Sequence, residues 1–151
     1  VAIRGEIFDT DFMSYKEDVD LAYRLRSAGW TAVVVPNAYA WHDRTAAGPR
    51  ARTDCAVIAN RATMSKIVRY HSYRNHLCTL VKNEVGENFR RDWPWIVWYE
   101  LKKLAYCCVV ERATLRALRD ARRLLPRMRA KRAVIAAKRR VRPEELRRWF
   151  G

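Results

Sequence analysis

Three acids, Glu17, Asp18 and Asp20, stand together at the head of the stretch YKEDVDLAYRLRSAGW, residues 15–30. Two chemistries suit them. Acids in a first helical turn gain ~0.3–1 kcal/mol from the partial positive charge there, so the cluster reads as dipole compensation. It also reads as a general base with its surroundings. An Asp at a helix mouth, beside other carboxylates and in a cleft, takes a proton from a hydroxyl, and repulsion among the acids raises its pKa toward a useful range. His42 lies further along the same region. An imidazole and a carboxylate cluster delivered to one sheet edge would hold a divalent ion together; alone, the same His is a polar residue satisfied at a strand end. Trp41 beside it offers a flat face to a sugar, or packs as core.

The elements that must position these residues follow from pattern. VAIR predicts a short strand, and GEIFDTDFMSY a turn-rich segment with Phe8, Phe12 and Tyr15 packed inward. Asp18 stands where an N-cap would, and Gly29 suits the left-handed C′ position that ends the helix. TAVVVP predicts a buried strand stopped by Pro36, and NAYAWH a second extended piece ending at His42. Strand, helix and strand at these lengths predict an α/β unit. Residues 43–64, with Gly48 and Pro49, predict a long loop. From Ser65 the period becomes helical. SKIVRYHSYRNHLCTLVKNEV is one helix, and WPWIVWYELKKLAYCCVVE a second with Pro94 near its first turn. Basic helices follow on either side of Pro126, then a short one with Pro143 at its first position.

Charge divides the chain at the same place. Residues 1–64 hold 8 Lys/Arg and 8 Asp/Glu, whereas residues 65–151 hold 23 and 8, which is the whole net charge of +15. Two regions with different roles are expected, 1–64 and 65–151, the second seeking a polyanion. Cys55, Cys78, Cys107 and Cys108 form neither a CxxC pair nor a zinc spacing, so all four are expected to be reduced and cytosolic, mostly as small buried hydrophobes. The opening VAIRGEIFDTDF is no signal peptide and lacks an initiator Met, consistent with a piece of a longer protein. No apolar run approaches the ~20 residues that span a bilayer.

Residues 8–42, FDTDFMSYKEDVDLAYRLRSAGWTAVVVPNAYAWH, resemble the acceptor-side half of family-2 glycosyltransferases, above all the rhamnosyl- and galactofuranosyl-transferase-like branch. FDxxFxxY leads into EDVDLxxRLxxxG, then a strand and PxAxxxH. YHSYRNHLCTLVKNE, with its RN and KN pairs, is similar to the helix that follows the family's catalytic domain. The resemblance implies the C-terminal part of a GT-A (Rossmann-like) domain over 1–64, then an α-helical basic tail. It implies an inverting hexosyl transfer from a nucleotide-sugar donor to a glycan or lipid-linked acceptor, as in cell-wall polysaccharide synthesis. Asp18 falls on the family's catalytic base, which deprotonates the acceptor hydroxyl. Glu17 would shape the acceptor pocket or tune the base. Asp20 would serve a structural or acceptor-side role, and Trp41 the acceptor. His42 matches the His that holds Mn²⁺ or Mg²⁺ with the DxD carboxylates, to neutralise the departing diphosphate. The donor half with its DxD is expected upstream: DTD at 9–11 and DVD at 18–20 both lie inside the acceptor-side pattern. The chain is therefore expected to be incomplete alone, either a fragment or the partner of a donor-binding chain.

Residues 112–151 carry 15 Lys/Arg against 3 Asp/Glu. They read as a solvated helical face or as an attachment to an anionic leaflet, with Trp93, Trp95, Trp98, Tyr99 and Tyr106 at headgroup level and Lys102 and Lys103 snorkelling. The second reading places the protein in the cytoplasm, peripheral on the inner face of the membrane. Arg74 would reach donor phosphates or form a structural ion pair. Nucleic acid is not expected as a partner, since no helix-turn-helix, zinc or RNA-recognition signature appears. The alternative to an enzyme is a non-catalytic basic helical module that binds anionic membrane or nucleic acid.

Overall fold

The computed structural model describes residues 1–3, 5–41, 48, 51 and 53–148. Hydroxyl caps begin two of its helices. Thr53 accepts from the Ala56 N–H at the start of α2 (Asp54–Thr63), and Ser65 accepts from the Val68 N–H at the start of α3 (Lys66–Asn83). Upstream lies α1 (Glu17–Ser27), which closes at Gly29 with φ +86°, as a left-handed C′ residue should. Downstream run α4 (Gly86–Val109), a 3₁₀ turn (Arg112–Leu115), α5 (Arg116–Ala137) and α6 (Pro143–Arg147) with Pro143 in its first turn.

The α3 helix is the spine. It packs along α5 most extensively and receives α1 on another side. Ala117, Ala121, Met128 and Ile135 form the buried stripe of α5, spaced four and then seven residues apart, the repeat of a helix seam. Phe12, Cys78, Ala121 and Met128 make one apolar cluster, and Tyr73, Cys107 and Ala117 the other.

Among the described residues there is no β-strand, only a bridge between Ile3 and Glu6. The structure is all-α. This overturns the expected α/β class and the GT-A, Rossmann-like assignment over 1–64. The reason is the lack of a neighbour. Residues 31–35 are irregular, and Val33, Val34 and Val35 stand exposed. A β-branched run becomes a strand only beside another that takes up its N–H and C=O groups.

Three boundaries also differ. Residues 54–63, expected as loop, form α2 because Thr53 caps them. Gly86 starts α4 two turns before Pro94, and α5 runs unbroken through Pro126. An interior Pro costs about 3 kcal/mol. In α5 the seam residues on both sides of Pro126 are buried, which offsets that cost. The helix at the acidic cluster begins two residues earlier than expected: Lys16 is the N-cap and Asp18 lies inside the first turn. All four cysteines are free, as expected; Cys78 and Cys107 are buried, Cys55 and Cys108 exposed. No described helix is long and apolar enough to cross a membrane.

Candidate active site

The two motif-bearing stretches, 8–29 and 70–84, are folded onto each other by a buried polar network. Lys82, fully buried, lies 2.5 Å from Asp9 Oδ2 and 2.8 Å from the Asp20 carboxylate. Asp20, also fully buried, accepts from Arg24 Nε at 2.9 Å and from Asn83 Nδ2 at 2.8 Å. Lys131 of α5 bonds Asp9 and reaches Asp11 at 2.7 Å. Burial alone would raise the Asp9 carboxyl. Hydrogen bonds from Lys131 and Lys82 outweigh it and hold the pKa at about 2. Arg24 donates its remaining nitrogen atoms to the carbonyls of Val1 and Ile7.

The RN pair supports the loop before α1. Arg74 Nη2 donates to Asp11 O and Phe12 O, at 2.9 and 3.0 Å. Asn75 Nδ2 faces three carbonyls, those of Phe12, Ser14 and Tyr15, at 2.9, 2.7 and 2.6 Å. Held this way, the loop carries three non-glycine residues at positive φ: Met13 at 58°, Tyr15 at 68° and Lys16 at 72°. Backbone of this kind costs of order 1–3 kcal/mol per residue and persists where surrounding structure fixes it.

The mouth of α1 therefore has a fixed shape. Asp18 is exposed there, and its Oδ1 accepts from the Val19 N–H at 2.8 Å. Glu17 is half-buried, with Oε2 out of solvent and unpartnered. The charge of Lys16 is felt by a His–carboxylate pair between α3 and α4. His76 Nε2 and Glu100 Oε1 are 2.5 Å apart, and Glu100 Oε2 is buried without a partner. Burial lowers the His76 pKa; Glu100 opposes this, Lys103 and Lys16 reinforce it, and the net shift is downward. A neutral His76 must donate Nε2–H to the carboxylate, which only accepts, so its lone pair lies on Nδ1. Lys103 lies over the rings of Tyr73 and Tyr99, 4.8 and 5.1 Å from their centroids. Burial brings its ammonium down to about 8, against the pull of Glu100.

Compared with models of protein families, with curated proteins and with solved structures, the chain matches none.

The acids expected to act together are separated by burial. Asp20 is fully buried and bound in ion pairs with Arg24 and Lys82. Asp18 is the acid that faces solvent. Arg74 is buried and its Nη2 and Nε are spent on Asp11, Phe12 and Asn75, so no phosphate meets them. Trp41 is fully exposed. His42 lies outside the described residues. Among those described, no group of three or more His, Cys, Asp or Glu suits a metal ion. The DTD carboxylates are neutralised by Lys82, Lys131 and Arg127 and do not fit a divalent ion. Sequence reasoning missed His76 and Glu100. They sit on different helices, and no local spacing joins RNHL to WYEL.

Proposed function

We propose that this chain is the acceptor-side part of an inverting glycosyltransferase, with Asp18 as the base that takes the proton of an acceptor hydroxyl. One observation carries the reading: of the three clustered acids, Asp18 is the exposed one, Glu17 being half-buried and Asp20 buried, and it stands at a helix mouth whose strained loop is fixed by Arg74 and Asn75. Glu17 stands beside it, half-buried, and shapes the acceptor pocket or tunes the base. The transferred sugar comes from a nucleotide-sugar held by a donor-binding region outside these residues. Mn²⁺ or Mg²⁺ belongs in this reading to His42 and to carboxylates of that region. The test is transfer of labelled sugar by the protein that joins this chain to its donor-binding region. Asp18→Asn should cut kcat by about 10²–10⁴-fold, the usual contribution of a general base, with KM little changed. A loss below about tenfold refutes Asp18 as base.

A second reading has its own support. Trp93, Trp95 and Trp98 are all more than half exposed on α4, with Tyr99 and Leu101 close behind. Such exposed aromatic side chains suit the headgroup region of an anionic membrane, with the basic residues adding about 1 kcal/mol each near the surface. Sedimentation with phosphatidylglycerol vesicles, but not with phosphatidylcholine, is the expected result. Binding to duplex DNA in preference to either would replace the membrane as partner.

A further inference from the structure

Five basic side chains of the second half gather in one place. Where α3 begins and α5 begins, an open groove of about 630 Å³ is lined by Lys66, Arg69, His71, Arg112, Arg116 and Arg119. Its two carboxylates are already occupied. Glu111 is buried and accepts from Arg61, Arg69 and Thr114. Asp120 accepts from the Tyr70 hydroxyl at 2.8 Å and lies 3.4 Å from both Arg119 and Arg123. Lys66, Arg112 and Arg116 have no ion-pair partner among the described residues. On the α3 wall, Arg69 Nε and His71 Nδ1 are buried with no hydrogen bond.

This arrangement works against the fold. Arg112 and Arg116 are four apart on consecutive helical turns, a spacing at which like charges repel. Arg116 and Arg119 occupy the first turn of α5, the end of a helix where positive charge is disfavoured. All three arginines are exposed, so packing does not require them. An anion removes each of these costs at once. Guanidinium forks match phosphate oxygens in pairs.

The geometry points to a diphosphate-binding site in this groove. Arg112, Arg116 and Lys66 supply the charge, and Arg69 and His71 line the α3 wall of the site. The site stands independently of the sugar-transfer reading, and its test is binding alone.

The probe is inorganic pyrophosphate, titrated calorimetrically into the full chain at low ionic strength. One site per chain is expected. The double variant Arg112→Gln/Arg116→Gln should weaken it at least about tenfold, as two charge-assisted contacts are lost. The control, Arg122→Gln/Arg129→Gln, removes the same charge from exposed α5 positions outside the groove and should leave binding nearly unchanged. Far-UV circular dichroism checks that both variants keep their helices. Equal weakening by the two doubles would mean diffuse attraction and would overturn the site. So would several sites per chain, or no binding at all. Competition with vesicles of phosphatidylcholine containing phosphatidic acid then assigns the source. Displacement supports a lipid headgroup, and pyrophosphate binding without displacement supports a soluble diphosphate.

Discussion

Replacing Lys82 by Met should remove the central cation of the buried network and leave its carboxylates in place. The ammonium lies 2.5 Å from Asp9 and 2.8 Å from Asp20, and all three side chains are at most 3% exposed. Asp9 keeps Lys131, and Asp20 keeps Arg24 and Asn83, so neither is left bare. Each nevertheless loses its most enclosed partner. Breaking a buried pair on one side costs about 3–5 kcal/mol. For a chain of this size, 1 kcal/mol moves Tm by about 2–4 °C, so the expected fall is about 6–20 °C. Urea unfolding followed at the Trp emission gives the same quantity as a shift in midpoint at unchanged slope. The double variant Lys82→Met/Asp20→Asn should recover part of the loss, because one carboxylate that lost its ammonium is neutralised with it. A cost below about 1 kcal/mol for Lys82→Met would refute the network as the clamp between α1 and α3. Strict additivity in the double would refute it equally.

Two further outcomes follow from the buried charges. The Asp9 carboxyl titrates at about 2 in the fold against 3.8 when unperturbed, so its stabilisation is complete above the higher value and is lost as pH falls through the lower. That loss is about 2 kcal/mol, visible as a falling urea midpoint across that window and abolished by Asp9→Asn. Lys103 is depressed from 10.5 to about 8, so the folded state releases its proton first and stability rises as pH climbs between those values. Lys103→Met should therefore stabilise the protein at neutral pH, by about 1–3 kcal/mol after allowance for partial exposure, and should flatten the alkaline rise in Tm.

What was legible in the sequence was local. Gly29 as a helix stop, Pro143 as a helix start and the helical period after Ser65 depend on a few adjacent residues, and each appears as read. The extended run TAVVVP was legible only as a propensity. A strand also requires a neighbour, and no property of residues 31–35 can supply one. Pro94 and Pro126 misled in the opposite sense. Each is a helix breaker taken alone, yet the Met128 and Ile135 seam carries α5 through.

The acidic cluster shows the same limit at the level of the site. Glu17, Asp18 and Asp20 look equivalent in sequence, all within four positions at the head of one helix. Their difference comes from residues more than fifty positions away: Lys82 and Asn83 take Asp20 out of solvent, and Arg74 and Asn75 fix the loop that leaves Asp18 outside. The RN and KN pairs thus carry information about the acids that the acids themselves do not. One pair sets the strained entry to α1 and the other neutralises its inward face. Two carboxylates two residues apart on one turn of helix consequently occupy opposite environments, a dry ion pair and open solvent. A chain of net charge +15 gathers acids at this helix because one of them is the counter-ion of its own buried lysine.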